Sequence, residues 1–261
     1  MTPLLLLALC CGGDADAGGS YLYQPAYCID DVRLTPTRPY VPQPGDVMLA
    51  TDNKIFWKVM HNLAGTGHPH HTGVVFAKPD GCLAVLEAGP HDTIYIRNLD
   101  WYPHFRRYED KGLIWVRQRK VPLTPEQSAR LTEFAMPQEG KFFAIFRLEK
   151  QLTPFRSRGP LRTRYVGRPQ GPDRRWYFCS ELALEALVGA GALDEETTRP
   201  SATYPRDIFF DRSPNPYLNK HLNLSNCWYP PARFTSCPSQ CTTAPDVTPV
   251  GAKVSAHSPG P

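Results

Sequence analysis

A chain of 261 residues, 41% hydrophobic and 11% aromatic, can bury a sizeable core, which excludes a disordered or low-complexity protein. Its formal net charge of +4 is modest, but nine Lys or Arg fall within 147–175 against only Glu149 and Asp173, so the positive charge is concentrated in one segment suited to an anionic partner. Eight cysteines are too few for a disulfide scaffold, and no glycine-rich phosphate loop or nucleic-acid recognition element is present, so neither a nucleotide cofactor nor nucleic acid is expected.

The opening "MTPLLLLALCCGGDADAGG" has a short apolar run followed by small and polar residues. It fits an export signal better than a membrane span, although it lacks a basic start, and "LALC" is similar to a lipoprotein cleavage site at Cys10. Residues 1–20 are therefore expected to be a leader and linker, 21–229 a single domain with a basic insertion at about 147–175, and 230–261, with seven prolines, a disordered tail. The expected location is the periplasm, cell envelope or exterior. Cys227, Cys237 and Cys241 are the natural candidates for a surface disulfide or idle thiols.

In chain order, "PQPGDVMLAT" reads as a Pro44-Gly45 turn into a strand over Val47–Leu49. "KIFWKVMHNLAG" carries an imperfect helical stripe over Lys54–Gly65. "TGVVFAKPDGCLAVLEAG" is two β-rich runs joined by Lys78-Pro79-Asp80-Gly81, a turn in which proline presets φ and glycine accepts a positive φ. "LIWVRQRKVPL" is a further strand over Leu113–Leu123. "LTPEQSARLTEFA" begins with Thr124 as N-cap, Pro125 as first helical residue and Gln127 at the capping-box position. "FCSELALEALVGAG" reads as a helix over Phe178–Gly191 that stops at its glycine. Strands, a helix, a basic loop and a helix in this order make the class α+β.

Cys179 opens that helix, and by itself it can be a packed thiol, half of a disulfide or a nucleophile. A helix N-terminus lowers a thiol pKa and offers N–H groups to an oxyanion. Catalysis would also need a base and a group to orient it. Four of the eight histidines, His61, His68, His70 and His71, lie in "HNLAGTGHPHH". With a bulge at Gly81, Lys78 faces Cys82 and Gly73 faces Glu87, which makes His71 and Glu87 diagonal neighbours on one face, about 7–8 Å apart at the backbone. A one-residue slip would separate them. Glu87 would then fix the tautomer of His71. An alternative places a metal on "HPHH" with Cys82 or Glu87, although the histidine spacing is not a standard ligand pair.

"PGDVML", "HHTGVVF", "AVLEAG" and "WYFCSELALEAL", in that order, resemble the circularly permuted branch of the NlpC-type papain-like hydrolases, the YiiX/YaeF-like family, related also to lecithin retinol acyltransferase. The resemblance spans about residues 44–187. It implies a permuted papain-like fold, an antiparallel sheet packed against a nucleophile-bearing helix, with Cys179 as nucleophile, His71 as base and Glu87 as the acidic third member.

The resemblance further implies a peptide, N-acyl amide, lipid or other small-molecule substrate; beside it, Tyr177 and Ser180 are candidate oxyanion or substrate-positioning groups, the arginine-rich segment suits an anionic membrane surface as a further partner, and no metal or other cofactor is expected. An acyltransferase-like activity and an inactive binding module are the alternatives. A thiolate at Cys179 is expected to be the thiol that alkylating reagents label first. Trp57, Trp101, Tyr102 and Phe105 are candidates for an apolar substrate wall. The relatives' Gly-x-Pro-Tyr-Asp-like segment is missing: Gly140 is followed by Lys141, Phe142, Phe143 and Ala144.

Overall fold

The computed structural model describes residues 19–23, 37–52, 67–90, 93–144 and 159–236. The helical reading of Lys54–Gly65, the leader, Cys237 and Cys241 lie outside the described residues.

Among the described residues ten strands form in chain order: β1 (Tyr21–Tyr23), β2 (Arg38–Pro39), β3 (Val47–Asp52), β4 (His71–Ala77), β5 (Leu83–Ala88), β6 (Ile96–Asp100), β7 (Gly112–Arg117), β8 (Phe142–Phe143), β9 (Trp176–Tyr177) and β10 (Ala232–Thr235). Eight of them make one antiparallel sheet in the order β2-β1-β10-β7-β3-β4-β5-β6, while β8 and β9 pair in parallel beside it. Helices follow as α1 (Trp101–Lys111), α2 (Pro125–Ala135), α3 (Pro160–Val166), α4 (Cys179–Gly189), α5 (Pro205–Phe210) and α6 (Pro216–His221). The class is α+β, as expected from the order of elements.

The β4–β5 hairpin has the expected register. Lys78 N–H donates to Cys82 O at 2.8 Å, Gly81 takes φ +85°, and Gly73 stands opposite Glu87. The turn chemistry therefore determines which side chains share a face. Val75 and Val85 point to one core, with Phe105 and Tyr108 of α1; Val74, Phe76 and Leu86 point to the other, with Leu182, Ala183 and Leu187 of α4. The sheet is thus covered by α1 on one face and by α2 and α4 on the other.

Local signals explain how these helices start and stop. Thr124 Oγ1 accepts from Gln127 N–H and the Gln127 side chain accepts from Thr124 N–H, completing the capping box. The helix α4 ends at Gly189, two residues short of the expected stop, and Gly191 supplies the positive φ (+69°) that turns the chain away.

Two readings need correction. The tail does not begin at residue 230, because Ala232–Thr235 is a strand between β1 and β7, pairing Arg233 with Tyr23 and with Trp115. The residues Trp101, Tyr102 and Phe105 are not an open wall: they lie in α1, and Phe105 is fully buried, stacked at 6.4 Å on Tyr40 and edge-on to Phe234. The region where the resemblance expects a polar pair is the short β8, whose Phe143 pairs with Tyr177 just ahead of α4.

Candidate active site

Asp46 of the "PGD" motif is fully buried and accepts hydrogen bonds from Arg119 N–H at 2.8 Å, Tyr40 O–H at 2.9 Å and Gln43 N–H at 3.1 Å. Burial pushes its pKa up to about 7, against the pull of these donors. The motif is a clamp joining the turn before β3 to the end of β7, and Trp228 Nε1–H closes it on Gly45 O at 2.8 Å. Its role is to hold β3, and so β4, in place.

The glycine of the His-x-Gly motif has a packing reason. A Cβ at Gly73 would lie 2.7 Å from Val85 Cγ1 and 3.2 Å from the Leu86 carbonyl oxygen, so only glycine fits between β4 and β5. At Gly89, φ is +74° and its N–H turns to Tyr95 O at 3.0 Å. That turn takes β5 away from β4 after Glu87, so the first residues of β4 have no β5 neighbour.

Cys179 occupies this margin. Its Sγ lies 3.6 Å from the His70 carbonyl oxygen, and the N–H groups of Thr72, Ser180 and Cys179 itself point at it. The sulfur thus contacts the peptide groups on both sides of His71. The N-cap residue is Phe178, whose side chain has no acceptor to offer, so the first turn of α4 is not capped in the usual way. Its N–H groups remain directed at the thiol region. Glu181, one turn along, accepts from Phe178 N–H at 3.2 Å and from Arg174 at 2.7 Å, fixing the helix start.

His71 Nδ1 lies 3.4 Å from Glu87 Oε1. Glu87 is fully buried and is also held by His104 Nε2–H at 2.7 Å and Tyr108 O–H at 2.6 Å, both from α1. Burial alone would raise the carboxyl pKa, but hydrogen bonds and charge from His104 and His71 outweigh it and bring it down to about 2. Glu87 is therefore an anion with three partners. His104 and Tyr108 were not singled out in the sequence, although they stand four apart on one helix face beside Phe105, which is the spacing of a buried stripe.

By strand alternation His71 and Glu87 project toward α1, whereas Cys179 arrives with α4 from the other face. The sulfur reaches the start of β4, past the last β4–β5 pair, against the peptides on either side of His71. In this resting arrangement the Cys179 thiol is a protonated group: burial, then the Glu87 charge, push its pKa up to about 12. Cys179 is 5% exposed while Cys227 is an exposed free thiol, so a small alkylating agent is expected to label Cys227 first at neutral pH, in place of the preferential labelling of Cys179.

Tyr177 and Ser180 are close by but engaged. Tyr177 O–H donates to Gly171 O at 2.8 Å and Ser180 O–H to Thr203 O at 2.7 Å. Backbone N–H groups of Thr72, Cys179 and Ser180, not these hydroxyls, are the donors facing the sulfur.

In the metal alternative, the two loop histidines share a hydroxyl partner and Cys82 is engaged elsewhere. His68 and His70 both turn their Nδ1 to Thr51 Oγ1, at 2.8 and 2.9 Å, and Cys82 is disulfide-bonded at the turn end of the hairpin. Among the described residues no group of three or more His, Cys, Asp or Glu is arranged to hold a metal ion. Cys227, a candidate for a surface disulfide, is free. Among the described residues no helix is long and apolar enough to cross a membrane.

No family model matches the chain, and no curated protein matches it. Solved structures do match, among them the crystal structure of metalloprotein yiiX from Escherichia coli O157:H7, DUF1105, at 19% identity and a TM-score of 0.41. That match covers 59% of this chain and 69% of the other. The chain is thus similar, at a distance, to a YiiX-like protein.

Proposed function

We propose that the protein is a thiol hydrolase that cleaves an amide or ester bond through Cys179, His71 and Glu87, on a permuted papain-like arrangement of sheet and nucleophile helix. The observation that carries this reading is the placement of the Cys179 sulfur against the two peptides flanking His71, whose ring in turn faces a carboxylate fixed by His104 and Tyr108. Nothing in core packing requires a buried carboxylate to be gathered behind a histidine beside a helix-start thiol.

A thiol held protonated needs its base during attack, not before it. In the proposed cycle His71 Nε2 takes the thiol proton as sulfur adds to the substrate carbonyl, while Glu87 holds Nδ1–H and stabilises the imidazolium. Backbone N–H groups of Cys179 and Ser180 receive the oxyanion. The imidazolium returns the proton to the leaving amine or alcohol, leaving an acyl-thioester on Cys179. Water, deprotonated by His71, then releases the acid and restores the thiol.

An acyl-enzyme also supports transfer to an acceptor other than water, so an acyltransferase-like outcome differs only in the second half-reaction. Export, as periplasmic or secreted protein, is part of the same proposal; the disulfide at Cys82 supports it, since such bonds persist in oxidising compartments. The test is a product screen of N-acyl amino acids, cell-wall peptides and phospholipids, with wild type run against Cys179→Ala. Turnover of one class is expected, lowered about 10³-fold or more in the variant. Equal turnover by both proteins would remove the proposal.

A further inference from the structure

A cavity of about 580 Å³ opens away from the thiol, between α3, the 194–199 turn and α6. Its wall carries Arg164, Arg168, Arg199 and Lys220 against one carboxylate, Glu196. The volume lies in the range of small-molecule sites. Arg164 and Arg168 belong to the basic stretch of the sequence, whereas Arg199 and Lys220 come from well beyond it, so the fold gathers cations that the sequence separates.

Arg199 anchors the cluster. It is 3% exposed, and its guanidinium donates to four backbone carbonyls, those of Thr163, Glu196, Thr198 and Arg164, at 2.7–3.2 Å. Tyr217 lies under it, 4.7 Å from ring centroid to guanidinium carbon. Those hydrogen bonds all go to neutral partners, and Glu196 and Asp194 act on the guanidinium only through charge, so a wall of four cations around one carboxylate keeps a net positive field. Glu196 is drawn off toward Arg168, at 3.8 Å on an exposed rim, and Asp194 is engaged with Glu196 N–H and Thr197. His221, on the cavity wall, has its pKa lowered by burial and then by Lys220 and Arg199, in keeping with a positive field.

We propose that this cavity binds a phosphate ester, with Lys220, Arg164 and Arg168 contacting the phosphate and the buried Arg199 setting the field. Several cations around one concave site suit a multiply charged oxyanion, and arginine forks suit its geometry. A phospholipid headgroup and a free phosphate ester share this chemistry.

The test is titration of the full chain with glycerol 3-phosphate, alongside flotation with vesicles of phosphatidylglycerol in phosphatidylcholine. The double variant Arg168→Gln/Lys220→Gln is compared with a charge-matched control, Arg38→Gln/Lys120→Gln, on another part of the surface. Saturable glycerol 3-phosphate binding that falls about tenfold or more in the cavity variant alone is expected, as for loss of charge-assisted hydrogen bonds. Vesicle binding competed by glycerol 3-phosphate assigns the headgroup as source; phosphate ester binding without vesicle binding assigns the free ester. No saturable binding, or equal weakening in both variants, overturns the proposal. None of these four residues touches the thiol site, so hydrolysis of an uncharged ester stays at the wild-type rate and failure here leaves the thiol proposal standing.

Discussion

Glu87→Ala is expected to destabilise the protein by about 4 kcal/mol at neutral pH, because it strips the partner from His104 and Tyr108 in a fully buried cluster. The effect depends on pH in a definite sense. The folded-state pKa of Glu87, about 2, lies below its ordinary value of 4.5. Its stabilisation is therefore present above pH 4.5 and is lost as the pH falls through about 2. The shift corresponds to roughly 3 kcal/mol. Urea midpoints of wild type and variant should differ widely at pH 7 and converge as the solution is acidified. Matching midpoints at pH 7 would show that the carboxylate is not held as described.

His71→Ala is expected to lower kcat by about 10²- to 10⁴-fold with a much smaller change in KM, the signature of a lost proton-transfer group. Because His71 stands at the start of β4 and His104 lies within α1, their alanine variants should separate. His104→Ala removes the 2.7 Å bond to Glu87 from the core side and should cost more stability than His71→Ala while lowering kcat less. The reverse order would make His104 the base.

Much of the hairpin was legible because its information is local. Pro79, Asp80 and Gly81 set the turn, and the turn sets the register that places Gly73 opposite Glu87. The start of α2 was legible for the same reason, since Thr124 and Gln127 cap each other. Other parts depend on distant pairing. Ala232–Thr235 follows two prolines and has no alternation of its own, and it becomes a strand only between Tyr21–Tyr23 and β7. The helix α1 was hidden by Pro103, which a first helical turn tolerates, and with it went His104 and Tyr108.

For the site, sequence order placed Cys179 at a helix start and His71 with Glu87 on one strand face. It carried no information about which sheet face α4 covers. That placement comes from packing of Leu182 and Leu187 against Val74, Phe76 and Leu86, and it brings the sulfur to the strand margin beside the His70 carbonyl. Nor did it foretell that Tyr177 and Ser180 spend their hydroxyls on Gly171 and Thr203.

The central claim is that Cys179 forms a covalent acyl intermediate. Wild-type protein mixed with an activated acyl ester, quenched in acid and digested for mass spectrometry, tests it most directly. The account predicts an acyl mass increment on the peptide containing Cys179, formed in wild type and slowed in His71→Ala. Acylation confined to the peptide of the exposed Cys227, with Cys179 unmodified, would contradict it.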